Sequence, residues 1–107
     1  MTPEERFDHV VDAFLGLDGV VPPAPERSGF GSGGLKVHGK IFAMLVRGRL
    51  VVKLPAKRVA EAIAAKQGEA FDANKGRPMR EWLAIPPDSS LDWEGTAREA
   101  LAFVDRS

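Results

Sequence analysis

Chemistry in this chain would have to come from a short inventory. There are two histidines, fifteen acidic side chains, fifteen basic ones and no cysteine. Without cysteine there are no disulfides, thiol nucleophiles or thiolate metal sites. His9 lies on a helical stretch and His38 at a turn, and neither has a second histidine or a carboxylate at ligand spacing, so no metal site is expected. Ser28, Ser32, Ser89 and Ser90 sit in loop or cap contexts without the G-x-S-x-G elbow that would raise a hydroxyl for attack. Gly29-Phe30-Gly31-Ser32-Gly33-Gly34 matches G-x-G-x-x-G. A dinucleotide site needs that pattern to open a helix, and here the strand-like Leu35-Lys36-Val37 follows. Glu81 alternates onto the same strand face as Leu83 and Ile85. It is either a general base raised by desolvation or, more ordinarily, the partner of an arginine near a sheet edge. No catalytic residue, cofactor or metal is expected.

The cations give a different prospect. Lys40, Arg49 and Lys53 belong to strands or their turns, and Arg77 and Arg80 to a later loop and strand. Converging, they would form a basic patch with Phe42 and Trp82 as stacking groups, a surface suited to nucleic acid. Against this, the net charge is zero, so no global field draws the protein to a polyanion. The alternative is a solvated rim around an apolar contact face.

What positions these residues is the run Gly39–Pro55, GKIFAMLVRGRLVVKLP, which reads as two β-strands joined at Arg47-Gly48. A two-residue loop there sets Val46 opposite Arg49, Met44 opposite Val51 and Phe42 opposite Lys53. One face then carries Ile41, Ala43, Leu45, Leu50, Val52 and Leu54. The other carries Phe42, Met44, Val46 and Val51, bordered by Lys40, Arg49 and Lys53. Upstream, Leu35–Val37 forms a further strand. A three-residue loop ending at Gly39 keeps Leu35 on the core face, whereas a two-residue loop would bury Lys36.

Helices flank the hairpin. Thr2, Pro3 and Glu5 make a capping box ahead of the stripe Phe7, Val10, Val11, Phe14 and Leu15, with Gly16 as the stop. Residues 16–34, rich in proline and glycine, form a connection with a short strand near Arg27–Phe30. A second helix spans Ala56–Lys66, with Ala56, Val59, Ala60, Ile63 and Ala64 inward and Gly68 as its stop. Glu69–Phe71 and Met79–Ile85 are strands separated by the polar turn DANKGRP, and a third helix runs from Leu91 to Asp105. This order predicts one domain over residues 1–107, a two-layer α+β fold with helices packed on one face of an antiparallel sheet. The outer sheet face, with Phe42, Met44, Val46 and Val51, becomes the candidate association face. The charged N-terminus has no signal-peptide core and no window approaches a membrane span, so a cytoplasmic protein without membrane contact is expected.

Phe30-Gly31, the Gly39–Pro55 run, Phe71-Asp72, GRPMREWL from Gly76, Trp93 and EALAFV from Glu99 together resemble the TfoX/Sxy N-terminal domain family, loosely grouped with MmcQ/YjbR-type proteins. The resemblance implies a secretion-chaperone-like fold of order helix–strands–helix–strands–helix, and kinship with a regulator of competence genes. Longer members carry a second, helical domain; the expectation here is a stand-alone N-terminal-like domain. The family pattern supplies no catalytic residues. The function expected is therefore non-enzymatic macromolecular interaction, with a homodimer or another protein as partner. A weak DNA-associated module and a small-molecule-binding protein are the alternatives.

Overall fold

The first helix, α1 (Pro3–Phe14), starts on a closed capping box. Thr2 Oγ1 accepts the Glu5 N–H at 3.1 Å, and Glu5 Oε1 accepts the Thr2 N–H at 2.8 Å. The Thr2 backbone N–H, then its hydroxyl, hold the Glu5 carboxyl below its ordinary pKa. A depressed carboxyl stabilises the fold above its unfolded pKa, and that stabilisation is lost as pH falls through the folded one. Glu5→Ala should therefore lower Tm at neutral pH. The gap from wild type should close on acidification below about pH 4 in a thermal melt series.

The computed structural model describes residues 2–22, 34–71 and 79–106. The strand expected at Arg27–Phe30, most of the glycine motif, the DANKGRP turn and Arg77 lie outside the described residues. After α1 come β1 (Val20–Val21), β2 (Gly34–Val37), β3 (Lys40–Val46), β4 (Arg49–Lys53), α2 (Ala56–Ala64), β5 (Glu69–Phe71), β6 (Met79–Ile85) and α3 (Trp93–Arg106). The strands form one sheet in the order β1-β2-β3-β4-β6-β5, every pair antiparallel. The expected α+β class and helix–strand order are found. Among the described residues no helix is long and apolar enough to cross a membrane.

Helix α3 packs over β2–β4 with α1 against it, and α2 packs over β6 and β5. The space between helices and sheet is filled by Phe7, Val10 and Phe14 from α1, by Ala97, Ala100 and Val104 from α3, and by Leu35, Leu50, Val52, Leu83 and Ile85 from the strands. Fully burying each large aliphatic or aromatic side chain contributes about 1.5–3 kcal/mol.

The β3–β4 turn takes the expected form. Arg47 (φ 52°) and Gly48 (φ 78°) both adopt the left-handed conformation of a tight hairpin, pairing Val46 with Arg49 and Met44 with Val51. The β2–β3 turn does not take the three-residue form expected. His38 (φ 52°) and Gly39 (φ 80°) make a two-residue turn that pairs Val37 with Lys40 and Lys36 with Ile41. Lys36 nevertheless stays exposed and Leu35 stays buried, because the register then slips: Leu35 pairs with Ala43, leaving Phe42 as the extra residue of a β-bulge.

That bulge corrects the placement of Phe42. It does not share the outer face with Met44 and Val46, but turns inward and meets Phe14 edge-on, ring centroids 5.6 Å apart at 83°. Ile41 in exchange comes to the outer side, beside Gly34. Two further expectations change at α2. Its end is made by Lys66 (φ 60°) in the left-handed region, with the Gln67 N–H reaching the Ala62 carbonyl at 2.9 Å, and not by Gly68. Gly68 is needed for space, since a Cβ there would lie 2.8 Å from Leu83 Cδ1. Only Val59 and Ala62 of α2 are buried, while Ala56, Ala60, Ile63 and Ala64 remain exposed.

Candidate functional site

The outer face of the sheet is built by alternation in β3, β4 and β6, whose residues Met44, Val46, Val51, Trp82 and Ala84 point away from the helices. β5 adds Phe71 at the far edge. Val46, Val51, Phe71 and Ala84 close into a small second cluster, with Val51 only 1% exposed. Met44 and Trp82 pack against this cluster and remain half-buried, as does Ile41. Of the four residues expected to form an association face, Phe42 is therefore in the main core and Val46 and Val51 are buried beneath the surface. Met44 alone is presented. Trp82 and Ile41 take the vacated places. Strand alternation placed Trp82 opposite Leu83 in the sequence, but its contact with the Met44 patch depends on β6 pairing with β4, a crossover of β5 and α2.

The cations around this face are held individually. Lys53 Nζ lies 5.7 Å from the centroid of the Trp82 ring and 4.0 Å from Glu81 Oε1. A cation over an indole face at a partly exposed site contributes about 0.5–1 kcal/mol. Arg49, across the β3–β4 turn from Val46, is paired with Glu69 of β5. Lys40 stands at the other end of β3 from Val46, about 20 Å away at the usual strand rise. Arg80 borders a separate groove beside α2. Among the described residues, Lys40, Arg49, Lys53 and Arg80 are thus spread over the sheet and its ends and do not form one patch.

Glu81 is exposed on the interior strand β6, and its charge faces Lys53 and not the arginine near a sheet edge that was expected. His38 Nε2 lies 2.6 Å from Asp105 Oδ1, tying the β2–β3 turn to the end of α3, a pairing not visible in the sequence. His9 borders a shallow cleft with Arg6, Asp92 and Trp93, where the Arg6 guanidinium lies 4.5 Å from the Trp93 ring centroid. Arg6 also donates to the Pro87 carbonyl. Among the described residues Thr96 is the buried polar side chain, and its Oγ1 donates to the Asp92 carbonyl at 2.8 Å. Arg58 is anchored to Glu99, Nε to Oε1 at 2.9 Å, and this bond raises its pKa above the ordinary arginine value. These polar contacts join elements of the scaffold to one another.

Comparison with curated proteins finds no match, and comparison with solved structures finds none either. The family model of the TfoX N-terminal domain matches residues 17–103, from just after α1 to the last turn of α3. The match covers most of the chain, which belongs to the TfoX N-terminal domain family.

Proposed function

We propose that this TfoX N-terminal domain is a non-enzymatic binding module that acts by protein association, first with a second copy of itself, through the outer face of its sheet. The observation supporting this is the Met44–Trp82 pair. Two large apolar side chains lie half-exposed on a floor of buried residues, on the sheet face away from the helices, with Lys53 Nζ 5.7 Å from the indole centroid. An aromatic and a methionine on a preorganised surface, rimmed by charge, have the composition of an interface centre.

Size-exclusion chromatography with light scattering tests it. Wild type should exceed its monomer mass of 11.6 kDa as concentration rises, and Met44→Asp should remain monomeric without loss of Tm. A wild type that stays monomeric at the highest attainable concentration contradicts the proposal. Association with DNA is the competing reading, and the scattered cations speak against it. A DNA complex would weaken steeply with salt through counterion release. Lys53→Ala should leave any binding to a duplex, measured at low ionic strength, essentially unchanged.

A further inference from the structure

Helix α2 offers more apolar surface than the domain uses. Arg58 points to α3, where it holds Glu99, and Val59 and Ala62 enter the core. At about 100° per residue, Ala56, Ala60 and Ile63 fall on the flank opposite Arg58, away from α3. With Val59, and with Ala70 of β5, they line a groove of about 420 Å³. Lys57 and Arg80 complete its lining among the described residues. Ile63 is 38% exposed, among the few large apolar side chains so exposed. Among the described residues the groove lining holds no carboxylate, and neither Lys57 nor Arg80 has an ion pair.

The place of the groove in the fold says what shape fits it. Helix α3 covers β2–β4 and α2 covers β6 and β5, so among the described residues the helical layer ends at this flank of α2. A further helix laid alongside α2 would continue the layer over the sheet's end. Ala56 and Ala60, four residues apart, leave a shallow row that lets a second helix approach closely, and Ile63 supplies the next ridge. The stripe is about 10 Å long at the helical rise, two turns of contact.

We propose that this groove docks an amphipathic helix of a partner protein, with aliphatic side chains on its buried face and carboxylates on its flanks to meet Lys57 and Arg80. The proposal rests on the protein-binding reading above and adds a second surface, separate from the Met44–Trp82 face. Binding would follow the helix-in-groove mode, in which apolar anchors set affinity and flanking charges set orientation and partner choice.

Two synthetic helical peptides of about 18 residues serve as probes, identical in their leucine pattern, one flanked by glutamates and one by lysines. In amide NMR titrations the glutamate peptide should shift Ala56, Ala60, Ile63, Ala70 and Arg80. It should bind at least about tenfold more tightly than the lysine peptide. Ile63→Asp should abolish binding while the spectrum stays folded. The double variant Lys57→Glu, Arg80→Glu should reverse the peptide preference, which a merely structural role for these residues would not do. No shifts in the groove, equal affinity for both peptides, or an Ile63→Asp change in the chain's own solution mass would each overturn the proposal. Met44→Asp should keep peptide binding. If self-association through Met44 persists while the peptides fail, the groove proposal alone falls.

Discussion

Val51→Asp is expected to prevent stable folding, costing more than about 4 kcal/mol, even though Val51 lies on the sheet face away from every helix. Its side chain is 1% exposed and packed in the cluster with Val46, Phe71 and Ala84. A carboxylate introduced there would be desolvated among the apolar side chains of the cluster. Arg47 and Arg49 line the same pocket, but Arg49 is already paired with Glu69 and offsets little of that cost. The contrast with Met44→Asp is the informative part. Met44 is on the same face, directly opposite Val51 in the β3–β4 register, yet half-exposed. A charge there reaches water and should alter association without comparable loss of stability. Chemical denaturation of both variants measures the difference. Similar stability for the two would mean that the outer face is open throughout, with no buried floor.

Phe42→Ala is expected to destabilise the protein by about 3–5 kcal/mol, the range for deleting a fully buried phenylalanine and leaving a cavity. The ring is fully buried and meets Phe14 edge-on across the α1–sheet interface. Were Phe42 on the outer face, as simple alternation from Lys40 would have it, the same truncation would cost far less and would act on association. Urea unfolding with unchanged m-value separates the two cases. A loss below about 1 kcal/mol would contradict the bulge, since surface truncations seldom exceed it.

These two residues show where sequence reasoning reaches its limit. Period-two alternation correctly divided Met44, Val46 and Val51 from Leu45, Leu50 and Val52, because the β3–β4 ladder is regular between its turn and Ala43. It failed one residue earlier. A bulge changes the face of everything beyond it, and neither Phe42 nor its neighbours carries a residue type that demands one. The same bulge reconciles the two-residue His38-Gly39 turn with an exposed Lys36, a combination that alternation alone excludes. The capping box of α1 was legible because its two hydrogen bonds are local.

The inward face of α2 was not legible in the same way. Five apolar positions make a continuous stripe, but how much of it meets the core depends on how far the sheet extends beneath the helix. That is a tertiary fact: α2 sits at the β6–β5 end, where the stripe overhangs. The spread of Lys40, Arg49, Lys53 and Arg80 likewise follows from strand order and the two turns, which composition does not encode. Arg49 and Lys53 each face a carboxylate, Glu69 and Glu81, brought to them by strands distant in sequence.

The claim that the outer sheet face is where this domain meets another copy is tested most directly by isotope-filtered NMR on an equal mixture of labelled and unlabelled protein. Intermolecular contacts are expected from the Met44 methyl and the Trp82 indole, lost in Met44→Asp. Intermolecular contacts confined to α1 or α3, or none at a concentration that populates a dimer, would contradict it.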